Sequence, residues 1–124
     1  MTIQRTALDS LLLTNVCEIR FVRRRPKLGD GPTRRMYCTK SYEILNSING
    51  RTTLNYATPR GPVKVNEAAD NVIVVWDILM QNYRTISMTS CDLIQQIPPN
   101  EFWKYFNDNI YPMSPEQKYN FMNT

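Results

Sequence analysis

The sequence contains no histidine. This absence removes the usual general base, the Ser–His and Cys–His nucleophile pairs, and the commonest side-chain ligand of metal ions. The eleven Asp and Glu residues are scattered singly, without a D-x-D or E-x-x-E pair, and the four glycines form no phosphate-binding loop. We therefore expect a protein that is not an enzyme.

Cysteine is scarce, and the three residues Cys17, Cys38 and Cys91 lie far apart, with none in a C-x-x-C pair. Without histidine, a four-ligand zinc site of the usual kind is excluded within one chain, so we expect no metal and no cofactor. The favoured interpretation is reduced thiols buried in the core. A disulfide or a reactive thiol is the alternative, because Cys17 and Cys38 could be neighbours on paired strands.

Long hydrophobic runs are also missing: none approaches the roughly 18 apolar residues that a membrane span needs. The first residues resemble neither a secretory signal nor a transit peptide, so the expected compartment is the cytoplasm. A chain of 124 residues, of which 42% are hydrophobic, fits one domain with a thin core. A small barrel or a mixed sheet-and-helix fold suits that size.

Positive charge dominates one half of the chain. Residues 1–64 carry twelve Lys and Arg against four acids, whereas residues 65–124 carry three against seven. Seven cations stand between residues 20 and 35, opposed only by Asp30. This distribution indicates a basic N-terminal half joined to a mildly acidic C-terminal half.

Alternation of apolar and polar residues predicts an antiparallel hairpin over residues 15–24 and 33–40. Cys17, Ile19 and Phe21 should be buried from the first strand, and Met36 and Cys38 from the second. The connection over residues 25–32 has two prolines, two glycines and a D-G step, which favour a turn or a long hairpin loop.

Further strands are predicted over 72–77, which is the most apolar and hence expected to be central, over 83–88 and over 93–97. Residues 46–71 lack periodicity and indicate a long surface excursion, with a strand piece at 52–56. Thr89 and Asp92 have capping-box spacing, which predicts a one-turn helix there.

Three helices complete the expectation. Thr6 should cap a helix over 7–13, and Asn100 should cap one over 101–107. The Ser114-Pro115-Glu116-Gln117 stretch predicts a capped helix to about Met122, since Ser, Pro and Gln suit the first helical positions.

Two stretches together resemble a family of small uncharacterised phage proteins that is related to the WYL domain. The first comprises Val16-x-x-Ile19-x-Phe21, a basic hairpin and Arg35-Met36-Tyr37-Cys38-Thr39; the second comprises Val74-Val75-Trp76-Asp77, a turn, Tyr83-Arg84-Thr85-Ile86 and Ser90. The resemblance covers about residues 8–95. The family's K-x-D-G hairpin is here expanded to Arg23–Gly31, and Tyr83 stands where the family often has Trp. The whole chain also looks like short proteins of T4-like phages that infect cyanobacteria.

This resemblance implies a mainly β fold: an Sm-like or SH3-like small β-barrel with an N-terminal helix and two short C-terminal helices. The single domain would span residues 1–124, with the barrel over about 8–97 and a helical extension over about 98–124. The family has no firmly established activity. The resemblance implies a phage accessory protein acting in the host cytoplasm.

The basic hairpin is the strongest candidate site. A crowd of cations attracts phosphates, and small barrels bind single strands along a basic groove with aromatic rings for stacking. Tyr42, Tyr56 and Tyr83 are further aromatic candidates. An acidic protein surface and a merely solvated turn are the alternatives. The candidate binding residues are Arg20, Arg23, Arg24, Arg25, Lys27, Arg34, Arg35 and Tyr37.

Two further groups have a structural and a functional interpretation. Asp77 and Arg84 can pair across a hairpin, which is favoured, although in the WYL relatives an arginine near this position helps ligand recognition. Trp103 and Tyr105 either cap the barrel, which is favoured, or contact a protein partner or a second copy of the chain.

The sequence thus favours a non-enzymatic protein that binds single-stranded nucleic acid in transcription or RNA handling during infection. The alternative is a modulator that docks an acidic surface of a host or phage enzyme. A part of the virion is disfavoured, because the sequence has no repeat. A homo-oligomer is possible, and no membrane is expected.

Overall fold

The computed structural model describes residues 2–25, 29–51 and 65–124, without the side chains of residues 24, 25, 29, 30, 48–51 and 70. Five strands form one antiparallel sheet: β1 (Val16–Arg25), β2 (Gly29–Thr39), β3 (Val72–Asp77), β4 (Asn82–Ser87) and β5 (Cys91–Ile97). The helices are α1 (Arg5–Leu12), α2 (Tyr42–Arg51), α3 (Glu67–Asp70), α4 (Pro99–Tyr105) and α5 (Pro115–Met122), with a 3₁₀ turn at Met88–Ser90 and a π-helical turn at Phe106–Ile110.

The strands follow the order β4-β3-β2-β1-β5, so the expectation of a mainly β fold with short helices is confirmed. The expected barrel is not closed. In the described part of the chain, β4 and β5 remain the two edges of an open sheet. The sheet is curled, because Cα atoms of β1 and β4 approach within 8 Å although the two strands are not paired.

The predicted β1–β2 hairpin is confirmed, with Cys17 opposite Cys38 and Ile19 opposite Met36. All five residues expected in the core, including Phe21, are buried. A bulge between Val22 and Arg24 shifts the register towards the end of the hairpin. The strands extend further than predicted: residue 25 and residues 29–32 of the predicted turn belong to β1 and β2, and residues 26–28 lie outside the described residues.

The prediction that β3 lies inside the sheet is confirmed, since β4 and β2 flank it, although β2 occupies the middle position. Strand β3 is apolar because both of its faces are also covered, with Val75 in one core and Trp76 in the other. Residues 42–51, partly assigned to a surface excursion, form α2 instead, and the strand piece predicted at 52–56 lies outside the described residues.

Three predicted caps differ from the structure. Helix α1 begins at Arg5 after Gln4, so Thr6 lies within its first turn. Helix α4 begins at Pro99, because Pro at the first helical position needs no amide partner there. The Thr89–Asp92 capping box is not formed: the Ser87 side chain accepts from the Thr89 amide, and the chain then extends into β5.

The predicted cap of α5 is confirmed. The Ser114 side chain accepts from the Gln117 amide at 3.1 Å, and the Gln117 side chain accepts from the Ser114 amide at 2.8 Å. This reciprocal arrangement satisfies two amides at the start of the helix, so α5 holds its own first turn together.

Both faces of the sheet are covered. The inner core joins α1 to β1–β4 through Leu8 and Leu12, and it contains all three cysteines. Those thiols are free, as favoured, and Cys17 stands opposite Cys38 without a disulfide. Burial raises the pKa of Cys17 and of Cys91 to about 12, so both stay protonated at neutral pH.

The outer core packs α2, α4, the π-helical turn and α5 on the opposite face. The sequence predicted only one buried face for β1, yet Glu18 on the outer face is 2% exposed. Its Oε2 accepts from Arg35 Nε at 2.9 Å and Nη2 at 2.6 Å, and its Oε1 accepts from Gln95 Nε2 at 2.8 Å. Three donors on both flanking strands thus satisfy a buried carboxylate.

Aromatic rings extend this network to the C-terminal helices. Gln95 Nε2 also donates to the Tyr105 hydroxyl at 2.8 Å, and the hydroxyls of Tyr105 and Tyr37 lie 2.6 Å apart. Phe121 of α5 stacks on Tyr37 with ring centroids 4.7 Å apart, and the Arg35 guanidinium lies 4.6 Å from the centroid of the Phe121 ring. Glu18, Arg35 and the rings therefore attach α4 and α5 to the sheet.

We predict that Arg35→Ala destabilises the protein by about 3 kcal/mol, because it leaves the Glu18 carboxylate buried without its cation. The Glu18→Gln/Arg35→Ala double variant should recover part of that loss, since it removes the buried charge as well. Urea denaturation measures both. Arg23→Ala is the matched control and should change stability by less than about 0.5 kcal/mol. A loss for Arg35→Ala no larger than the control's would contradict this role.

Candidate functional site

A cleft opens between the β1–β2 hairpin and the β3–β4 hairpin. It exists because β2 pairs with β3 at only two positions, Cys38 with Asp77 and Thr39 with Trp76, so the hairpins diverge beyond that point. Two adjoining cavities of about 210 and 390 Å³ occupy it. Both are lined by Phe21, Arg23, Arg34 and Arg84, and we call this region the arginine cleft.

The three cations of the arginine cleft are only weakly neutralised. Arg23 is exposed and forms no ion pair with any side chain that the structure describes. Arg34 donates to the neutral amide oxygen of Asn123. Arg84 Nε lies 3.8 Å from Asp77 Oδ2, a distance too long for a strong hydrogen bond. Apart from Arg35, which pairs with Glu18, the cleft therefore holds three guanidinium groups against one carboxylate.

That carboxylate has a structural role. Asp77 is buried, and its Oδ1 accepts from the Met80 amide at 3.1 Å, which orders the turn between β3 and β4. Burial raises the pKa of Asp77, whereas the Met80 amide and Arg84 act in the opposite direction. The favoured interpretation, an Asp77–Arg84 pair beside a buried Trp76, is confirmed.

One exposed aromatic ring stands at the arginine cleft. Tyr119 of α5 is 64% exposed and lines the same cavity as Arg23, Arg34 and Arg84. Sequence reasoning did not select it for the site. The available signal was helical spacing: Tyr119, Met122 and Asn123 are three and four residues apart, which places them on one face of α5, and all three line the cleft.

The tyrosine that the sequence selected is not accessible. Tyr37 shares the outer face of the sheet with Arg35, as expected, but α5 covers that face and leaves Tyr37 3% exposed. Tyr83 packs edge-on against Trp76 with ring centroids 5.1 Å apart. Tyr42 is exposed and lines a separate groove, and Tyr56 lies outside the described residues.

The predicted cations do not all converge. Arg35 lines one edge of the cleft, but its charge is engaged by Glu18. Arg20 lies outside the cleft, opposite Asp92 of β5, in a separate pocket with Thr2. Arg24 lies in β1, but its side chain is outside the described part of the structure, as are the Arg25 side chain and Lys27.

Trp103 and Tyr105 pack inside the molecule, which agrees with the favoured capping interpretation. Trp103 stacks on Phe106 with centroids 5.9 Å apart, and the Tyr105 hydroxyl bonds to Tyr37 and Gln95. Both side chains therefore belong to the packing of α4 on the sheet.

Neither a metal centre nor a membrane span emerges from the described residues. Within ranges 2–25, 29–51 and 65–124, no group of three or more Cys, Asp or Glu side chains is arranged to hold a metal ion. No helix in those ranges is long and apolar enough to cross a membrane. Comparisons of the chain with protein-family models, curated proteins and solved structures return no match.

We predict that Asp77→Asn stabilises the protein increasingly as pH rises. Because burial raises the pKa of Asp77 in the folded state, the folded protein binds this proton more tightly than the unfolded chain. Ionisation therefore weakens the fold as pH rises from the ordinary pKa of aspartic acid through the raised one. Asparagine keeps an acceptor for Met80 and does not ionise.

Urea denaturation of both proteins at several values between about pH 3 and pH 7 checks this, with the exposed Asp108→Asn as the control. The difference in free energy of unfolding, Asp77→Asn minus wild type, should increase across the series, and the Asp108→Asn difference should not. A difference that falls with pH would show that Arg84 and the backbone amides outweigh burial, and a constant difference would show that they balance it; either result would contradict the prediction.

Proposed function

We propose that the protein is a non-enzymatic binder of single-stranded nucleic acid and that the arginine cleft holds the strand. The observation that carries this proposal is the placement of Arg23, Arg34 and Arg84 in one cleft with the exposed ring of Tyr119. Guanidinium groups bind phosphate oxygens through charge-assisted hydrogen bonds. An aromatic ring beside them offers a stacking surface for an unpaired base.

A single strand suits this site better than a duplex. Reading a duplex requires a helix or ribbon that enters a groove, whereas an unpaired strand needs a charged channel and an aromatic surface. The arginine cleft is recessed between two hairpins and provides the latter. Binding should tolerate sequence changes, because cations and a ring face distinguish bases poorly.

The biological setting of the proposal rests on the resemblance. We propose a phage accessory protein of the Sm-like or SH3-like small-barrel class that acts on transcription or RNA in the host cytoplasm. The curled sheet and its order, β4-β3-β2-β1-β5, support a barrel-like architecture with an open side.

A protein partner is the second candidate, favoured by one observation. Met80 is 48% exposed and lines the cleft together with Tyr119 and the arginines. Met, Tyr and Arg are the residues enriched in protein interfaces. In that case an acidic segment of a host or phage enzyme would occupy the arginine cleft, and the protein would modulate that enzyme.

We predict that Arg23→Ala/Arg34→Ala weakens binding of a fluorescently labelled oligothymidylate by about tenfold or more, since a hydrogen bond to a charged group contributes roughly 1.5–3 kcal/mol. The slope of log affinity against log salt should flatten by roughly 0.7 for each phosphate that the variant no longer neutralises. Fluorescence anisotropy over a salt series measures both quantities. Neither residue has an ion-pair partner in the described part of the chain, so the fold should persist.

Arg5→Ala/Lys104→Ala is the control, because it removes the same charge outside the cleft. It should change affinity much less than the cleft variant. Equal losses of affinity in the control and in the cleft variant would indicate non-specific electrostatic attraction of the oligonucleotide. Failure of the wild-type protein to bind labelled DNA or RNA at low salt would refute the nucleic-acid proposal and favour the modulator. In that case the protein should still capture its partner from a lysate treated with nuclease.

We predict that Tyr119→Ala weakens binding by about 1–3 kcal/mol, the contribution of stacking one base on an aromatic ring. Tyr119→Phe should retain nearly full affinity, because it keeps the ring. Tyr111→Ala removes a comparably exposed ring outside the cleft and is the control. The same anisotropy titration applies. If Tyr119→Phe fell as far as Tyr119→Ala, the hydroxyl rather than stacking would account for the loss.

A further inference from the structure

The residue that follows α5 forms a hydrogen bond with one of the cations of the arginine cleft, Arg34. Arg34 Nη1 donates to Asn123 Oδ1, and Asn123 Nδ2 donates to the Tyr119 carbonyl at 2.7 Å. The second bond orients the amide, so that its oxygen faces the guanidinium. Tyr119, Met122 and Asn123 all line the cavity, and the last residues of α5 therefore form one wall of the candidate site.

This interaction is of a kind that a phosphate can replace. The acceptor on Asn123 is neutral, whereas a phosphate oxygen carries charge and bonds about twice as strongly to a guanidinium. Asn123 is also exposed, so its amide can exchange Arg34 for water. Arg34 itself faces no carboxylate within ion-pair distance among the described residues.

Helix α5 can keep its helical structure if it separates from the sheet. Its capping box satisfies its first amides, so the helix does not depend on the sheet for its own start. No residue of α5 is fully buried, and its attachment to the sheet depends on the half-buried Phe121 and Met122 and on Arg35, which faces the Phe121 ring. Segments that bury little apolar surface open at a small fraction of the global free energy of unfolding.

We propose that Asn123 is a latch: its amide oxygen holds the place of a phosphate oxygen on Arg34, and a bound strand displaces it and loosens α5. This inference rests on the proposed function. It implies that the unliganded protein is partly self-inhibited. The apparent affinity equals the intrinsic affinity multiplied by the fraction of molecules in which Arg34 is free of Asn123.

The test measures binding of labelled oligothymidylate to Asn123→Ala, with Asn120→Ala, an exposed asparagine of the same helix that does not line the cleft, as the control. Asn123→Ala should bind about three- to tenfold more tightly than wild type, because removing the competitor raises the competent fraction. Asn120→Ala should match wild type. In an Arg34→Ala background, Asn123→Ala should have no effect, which separates a latch from a general loosening of α5.

A second measurement follows α5 directly. Amide hydrogen exchange in residues 118–122 should accelerate when the oligonucleotide is added to the wild-type protein. Tight wild-type binding with unchanged affinity for Asn123→Ala, or slower exchange in α5 on binding, would overturn the latch and leave the proposed function intact. Absence of binding by the wild-type protein at low salt would overturn both the latch and the proposed function.

Discussion

The ion pair between the buried Glu18 and the half-buried Arg35 is the interaction on which the remaining structure depends. It lies on the outer face of the sheet, where three donors surround the carboxylate and satisfy it. The same arginine faces the Phe121 ring, and Gln95 continues the network to Tyr105. Strands β1, β2 and β5 and helices α4 and α5 thereby meet around one charge pair.

The position of α5 in turn shapes the arginine cleft. The short pairing of β2 with β3 opens the space between the hairpins, and the C-terminal residues of α5 close one side of it. Arg34 and Arg35 are sequence neighbours with different environments: Arg35 belongs to the buried network, and Arg34 reaches only a neutral amide. Both side chains reach the C-terminal end of α5, so one strand supplies both the anchor of the fold and a cation of the candidate site.

Local patterns predicted much of this from the sequence. Period-two alternation predicted the β1–β2 hairpin with its buried Cys17 and Met36, and Ser114 with Gln117 predicted the capped α5. What local patterns could not supply was the covering of the second sheet face. Tyr37 alternates as an exposed residue would, and the docking of Tyr105 and Phe121, both distant in sequence, buries it. Tyr119 reaches the cleft because α5 docks there. Helical spacing places Tyr119 on one face with Met122 and Asn123, but it does not reveal what that face meets.

The proposed function requires a single strand to lie in the arginine cleft against Tyr119. Photo-crosslinking of the unmodified protein to a short 4-thiouridine-labelled RNA, followed by mass spectrometry, tests this placement directly, because the crosslinked residue marks the strand's position. We expect crosslinks at Tyr119 and its exposed cleft neighbour Met80, suppressed by excess unlabelled oligonucleotide. Specific crosslinks confined to residues outside the cleft, such as Tyr42 or Tyr111, would contradict this placement.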